Sequence, residues 1–265
     1  MSAVCLVHLV WAPLGAEPVR RFVRSYTEHP PGLGHRLLVV LNGFDDGEVP
    51  REVTAALDAV EHETLRPQQP VQDLAAYRLA AERAAWAERM CFVNSHSEPL
   101  ADGWLAKLDA QLSRPRVGIV GATGSHESQF SSAARPFRPW RSRFYPPFPN
   151  PHVRTNGFML RRSDMLALEW SIGRSKSSAH RLESGKAGIT RQLLARGLQP
   201  LVVDRDGRGH APEAWAVSRT YRSGEQEGLL IADNRTRHYA AAPPRERAWL
   251  ASLAWGPAAD GRDRR

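Results

Sequence analysis

A chain of 265 residues, 42% hydrophobic and 24% charged, is long enough to bury one large core or two modest ones, which excludes a disordered or fibrous protein. No apolar run reaches the roughly 18 to 20 residues that span a bilayer, and the opening MSAVCLVHLVWAPLG lacks a basic start, so it reads as a buried strand of a cytoplasmic protein. A net charge of +8 admits nucleic acid, anionic lipid and phosphorylated substrates as partners, although arginine-rich coding in a GC-rich genome produces the same excess.

The continuous apolar run Val4–Val10 predicts a strand covered on both faces. Pro18 opens a helix through Glu28 with Val19, Phe22, Val23 and Tyr26 on one stripe. Arg36–Leu41 is a second strand closed by an Asn42-Gly43 turn, Arg51–Val60 a helix, and Glu61–Leu65 a short third strand. Asp73 precedes a helix over Leu74–Ala87, followed by a strand at Met90–Asn94. Asp102 is expected to cap a helix over Gly103–Leu112, and Val117–Val120 is the fifth strand. This alternation predicts a parallel sheet with crossover helices. Cys5 and Cys91 fall on the predicted strands, where buried free thiols are expected.

Residues 121–152 hold four Arg and six Pro and predict a long surface loop with little regular structure, in which the prolines of 135–148 exclude a regular helix. Phe158–Leu160 reads as a strand, Ser163 as the cap of a short helix through Leu168, Gly188–Ala195 as a helix ended by Gly197, and Gln199–Val203 as a late strand. Beyond Asp204 the chain reads as irregular until an amphipathic helix at Pro244–Trp255, and residues 258–265 as a disordered tail. There is no Gly-x-Ser-x-Gly elbow, Walker loop, Gly-x-Gly-x-x-Gly after the first strand, or cysteine pair at zinc spacing.

Five blocks stand in a recognisable order: VCLVHLVWAPLG, HRLLVVLNGF, QDLAAYRLAAERAAWAERMCFVNSHSEPLADGWLAKL, VRTNGFMLRR and LESGKAGITRQLLARGL. Together they resemble a bacterial GT-A-type glycosyltransferase of the large family 2-like group. The resemblance implies an α/β fold with a Rossmann-type central sheet flanked by helices. Residues 1–122 would form the donor-binding half and 123–257 a less regular acceptor half of the same domain. It also implies a nucleoside-diphosphate sugar as donor and a hydroxyl acceptor on a glycan, lipid or small molecule. Inversion at the anomeric carbon is the expected outcome, and no nucleic acid is expected. A non-catalytic nucleotide-sugar or glycan-binding protein is the alternative.

On that resemblance, the turn at Trp11, Ala12 and Pro13 cradles the nucleoside, with Asp73 and Tyr77 one helical turn apart beside it. Asn94-Ser95-His96 occupies the place of the Asp-x-Asp pair that anchors Mg²⁺ or Mn²⁺ on the diphosphate. Neutral Asn94 and nitrogen-bearing His96 leave three outcomes open: a weaker metal site completed by Glu98 or His210, a metal-free enzyme, or an inactive one. Thr155, Asn156 and Gly157 would approach the donor sugar, and Arg191 a phosphate. Glu183 stands where inverting relatives carry an acidic dyad before a glycine-ended helix, here without the second acid, and is the candidate general base; its bland alternative is a carboxylate favouring a helix N-terminus. The Arg/aromatic stretch 135–148 reads either as a lid over bound donor or as a dock for an anionic membrane face.

Overall fold

The computed structural model describes residues 3–44, 48–133, 135–170 and 176–256; the expected tail at 258–265 lies outside them. The chain runs β1 (Val4–Trp11), α1 (Glu17–Glu28), β2 (Arg36–Asn42), α2 (Arg51–Leu57), β3 (Glu63–Leu65), α3 (Asp73–Arg83) and β4 (Arg89–Val93). It continues with β5 (Glu98–Pro99), α4 (Trp104–Leu112), β6 (Val117–Gly121), β7 (Gly124–Ser125), α5 (Arg138–Arg141), β8 (His152–Val153), β9 (Gly157–Arg161) and α6 (Arg162–Leu166). It ends with α7 (Lys176–Ser184), α8 (Ile189–Ala195), β10 (Gln199–Val203), β11 (Gly209–His210), β12 (Ile231–Ala232), α9 (Asn234–Ala241) and α10 (Pro244–Trp255).

Eight strands form one sheet in the order β11-β10-β6-β9-β4-β1-β2-β3. β1 pairs in parallel with both β2 and β4, as the apolar run of a doubly covered strand requires. Its alternate side chains feed two cores. Leu6 and Val10 pack with Phe22 of α1 and Trp104 and Leu105 of α4, while Cys5, Val7 and Leu9 pack with Leu74, Tyr77 and Ala80 of α3. Cys5 and Cys91 are buried and free, as expected.

The expectation of one run of parallel strands needs correction. β9 inserts between β4 and β6, antiparallel to both, so the fifth predicted strand does not touch the fourth. Its apolar residues Phe158, Met159 and Leu160 fill a place covered on both faces, a property β4 and β6 share, so direction was not encoded in composition.

Other corrections are local. Asp102 does not cap α4: Gly103 does, in the left-handed conformation, and Asp102 meets the His29 ring at 3.0 Å. Ser163 lies inside the first turn of α6, whose cap residue Arg161 makes no side-chain capping bond. α2 stops at Leu57 and α3 at Arg83, short of Val60 and Ala87. Proline does not bar a helix from 135–148, because Pro139 stands in the first turn of α5, where no amide is needed, and the loop expected at 121–152 holds that short helix. Nor is that stretch all surface: Thr123, Ser125, Ser128 and Asn150 are buried. The region after Asp204 is more ordered than its polarity suggested. Trp215, Tyr221, Leu230 and Ile231 are buried, and Asp233 and Thr236 close a capping box on α9.

Candidate functional site

The strand order places a switch point beside β1. The chain leaves β1 toward β2 and β3, then returns to β4 on the other side, so the connections diverge at the carboxyl ends of β1 and β4. Open α/β sheets leave a crevice at such a point. Here it is a cleft of about 440 Å³ lined by Trp11, Leu14, Val71, Gln72, Asp73, Leu74, Asn94, Ser95, His96, Thr155, Ala179, His180 and Glu183. A larger groove of about 630 Å³ runs alongside and shares Val71 and Gln72, but it lies off the switch point, between the β3–α3 connection and Trp170.

The walls are held by bonds between distant parts of the chain. Asn42, last in β2, is buried and clamps Val71, accepting from its amide at 3.1 Å and donating to its carbonyl at 2.8 Å. Gly43 follows at φ +79°, and a Cβ there would stand 2.6 Å from the Trp11 ring, so glycine lets that ring fold over the turn. Asp73 opens α3 at the cleft rim. At the end of β4, the Ser95 hydroxyl donates to the Leu9 carbonyl at 2.8 Å and ties the two strand ends together.

Asn94 turns its side-chain oxygen inward, where it accepts from the His96 amide at 2.9 Å and the Ser97 hydroxyl at 3.0 Å. Burial, the Arg237 charge and the Arg21 charge hold the His96 ring below its ordinary pKa, against the opposing pull of Asp233 and Glu98. Glu98 is engaged by Arg237 at 2.5 Å, with Arg21 at 3.7 Å. Among the described residues no three His, Cys, Asp or Glu side chains gather as a metal site. His210 does not complete one: its ring pairs with Asp204 at 2.8 Å on β11 and does not line the cleft. This donor set does not fit a bridging divalent cation.

Glu183 sits in the last turn of α7, not at a helix N-terminus, which removes the bland alternative for it. One carboxylate oxygen accepts from both the Thr155 amide and the Thr155 hydroxyl at 2.9 Å. Burial pushes this carboxyl up, but His152, the Thr155 amide and Arg154 outweigh it and hold it below the ordinary 4.5. Glu183 and His180, three apart on one helix face, also line a second, polar pocket of about 70 Å³ with Glu127, His152, Arg154 and Tyr221. Arg154 anchors that pocket: it is buried, pairs with Asp233 at 2.8 Å, and its guanidinium stacks 4.2 Å from the Tyr221 ring.

The cleft therefore gathers Trp11, Asp73, Asn94, Ser95, His96, Thr155 and Glu183 from five separate stretches. Other expected contacts are not brought in. Tyr77 is fully buried and packs on Phe92 at 4.8 Å, because its helix position faces the sheet while Asp73 stands at the exposed first turn. Asn156 is buried and accepts from Thr123 at 2.6 Å, and the Cα face of Gly157 turns toward Ile231. Arg191 donates to Asn150 at 3.3 Å, outside both cavities. Leu14, rather than Ala12 or Pro13, reaches the cleft from the turn after β1. His180 and Arg154 were missed: Arg154 lies inside the block VRTNGFMLRR and His180 two residues before the block LESGKAGITRQLLARGL, and the three-residue step from His180 to Glu183 was the available signal.

Neither a protein-family model nor a curated protein matches this chain. Solved structures do. The mannosyltransferase PcManGT from Pyrobaculum calidifontis, in complex with GDP-Man and Mn²⁺, matches 94% of this chain and 69% of its own at 15% identity, with a TM-score of 0.50. Glucosyl-3-phosphoglycerate synthase from Mycobacterium tuberculosis, in complex with Mn²⁺, UDP and glucosyl-3-phosphoglycerate, matches 74% at 13% identity with a TM-score of 0.45, and this chain spans 64% of it. GalNAc-T7 with UDP, GalNAc and Mn²⁺ matches 61% at 14% identity with a TM-score of 0.42, over 35% of its length. The large, mostly parallel sheet flanked by helices, with its cleft at the β1/β4 switch point, is a GT-A-type glycosyltransferase fold.

Proposed function

We propose that this protein transfers a sugar from a nucleoside diphosphate to a hydroxyl acceptor, with inversion at the anomeric carbon. The observation that carries the reading is the placement of Glu183 between the 440 Å³ switch-point cleft and the 70 Å³ polar pocket. A donor in the first and an acceptor hydroxyl in the second would meet at one carboxylate. Residues 1–122 supply most of the donor side, and 123–257 the acceptor side. Glu183 is ionised at neutral pH, and it takes the acceptor proton as the hydroxyl oxygen bonds to the anomeric carbon and the diphosphate leaves. Trp11 offers a ring face for the base, and Asp73 a carboxylate for its edge or the ribose. The acceptor is a glycan, a lipid or a small molecule; exposed Phe137 and Trp140 in the arginine-rich stretch support presentation of it at an anionic membrane face.

The test is turnover of a nucleotide-sugar panel by the wild-type protein and by Glu183→Gln. General-base loss lowers turnover by about 10²- to 10⁴-fold while nucleotide affinity stays within about twofold. Near wild-type turnover in the Gln variant removes Glu183 from the mechanism.

One observation favours a second reading, a non-catalytic nucleotide-sugar binder: the two hydrogen bonds from Thr155 weaken Glu183 as a base. Donor binding without transfer or hydrolysis across the panel selects it.

A further inference from the structure

The end of β4 differs in charge from a strand end that holds a metal, and the difference decides how a diphosphate is received. Building on the nucleotide-site reading above, we propose that this protein binds the donor diphosphate without a bridging divalent cation, the imidazoles of His96 and His180 facing the phosphates in the metal's place.

Three features carry this. First, no formal negative charge stands at positions 94 or 96, and the Asn94 oxygen is already shared by the His96 amide and the Ser97 hydroxyl. A hard cation sheds water only for oxygen ligands, chiefly carboxylates, that repay its dehydration. Second, the nearest acid, Glu98, is spent on Arg237 and Arg21, and Arg237 also donates to the His96 carbonyl at 3.2 Å. The two carboxylates that act on this turn are both engaged by guanidinium groups, Glu98 by Arg237 and Arg21 and Asp233 by Arg154, so neither is open to repay the dehydration of a divalent cation. Third, among the described residues the acids that line the cleft are Asp73, on the rim at the start of α3, and Glu183, whose carboxylate accepts from the two Thr155 donors. A cation-free cleft of this kind needs donors on both walls. His96 at the end of β4 and His180 on α7 provide them, and both line the cavity.

Calorimetry with UDP, GDP and dTDP, each against its nucleoside monophosphate, tests the proposal in EDTA and again with Mn²⁺ or Mg²⁺. At least one diphosphate should bind more tightly than its monophosphate in EDTA, and metal should change that affinity by less than about twofold. His96→Ala and His180→Ala should each weaken the diphosphate by roughly tenfold and leave the monophosphate within about twofold. The double variant Asn94→Asp, His96→Asp should acquire Mn²⁺ binding visible by electron paramagnetic resonance, with diphosphate binding now sensitive to EDTA. Wild-type diphosphate binding that requires metal and is lost tenfold or more in EDTA overturns the proposal and leaves the nucleotide site standing. Absence of binding in both conditions overturns the nucleotide site and the proposal together. If the double variant does not fold, the wild-type comparison decides alone.

Discussion

His8 in the centre of β1 illustrates how one side chain ties stability to pH. It is fully buried, stacks on Phe22 with ring centroids 3.7 Å apart, and neither ring nitrogen has a hydrogen-bond partner. Burial drives its pKa from 6.5 down to about 3, so the folded protein holds it neutral where the unfolded chain would protonate it. The stabilisation is complete above the unfolded value and is lost as the pH falls from about 6.5 toward 3. Between pH 7 and pH 4 this one group should remove about 3 kcal/mol. Urea unfolding of wild type and His8→Leu at the two pH values measures it; an unchanged acid slope in the variant would show that His8 is not the source. Glu183 is held ionised by its surroundings at the same scale. On the proposal that it is the general base, the acidic limb of the pH–rate profile is expected below 4.5, since activity present above the folded pKa disappears as the carboxylate is protonated.

At the scale of elements, the cleft depends on turns rather than on the strands they join. The Asn42-Gly43 turn holds Val71 on one side and admits the Trp11 ring on the other. In Gly43→Ala the residue must keep φ +79° with its methyl against the ring, so it should cost about 1 to 2 kcal/mol and displace Trp11. Nucleotide affinity should fall with it, and unchanged affinity and melting temperature would show the turn to be permissive. The second device is the Arg154–Asp233 pair, which fastens the start of α9 to the polar pocket. Both partners are buried, so Asp233→Ala leaves an unpaired guanidinium and should destabilise the fold by about 3 to 5 kcal/mol. Asp233→Asn keeps the cap and should recover part of that, a difference a denaturant series would resolve.

Across the whole molecule, no helix among the described residues is long and apolar enough to cross a membrane, yet a net charge of +8 is combined with exposed aromatic rings at Phe137 and Trp140. The tip of that stretch lines neither cavity; its far end packs on α7, where the Arg181 guanidinium lies 4.5 Å from the Phe144 ring. Its exposed rings at Phe137 and Trp140 motivate a test of the membrane-docking reading against the lid reading. Sedimentation with phosphatidylserine vesicles should bind the protein at low ionic strength, weaken with salt, and weaken further in Phe137→Ser, Trp140→Ser. Binding absent at low salt would return the stretch to the lid reading.

Much of this architecture was readable in advance, because burial on both faces and switch-point topology leave periodic signals. The apolar runs of β1, β2, β4 and β10 and the stripe of α1 lie where their periodicity put them, and the blocks around Trp11, Asp73, Asn94–His96, Thr155 and Glu183 converge on one cleft. What periodicity does not carry is direction and partner choice. β9 reads the same whether it runs parallel or antiparallel, Tyr77 reads as a neighbour of Asp73 until α3 is laid on the sheet, and α9 hides in a polar stretch although Asp233 and Thr236 spell its cap. The pairings of Glu98 with Arg237, of His210 with Asp204 and of Glu183 with Thr155 join residues that side-chain reach alone selects among many charged and polar candidates. Residue types and local periods are properties of the chain; which charge meets which is decided only when the layers pack, since a hydrogen bond is set within a few tenths of an ångström.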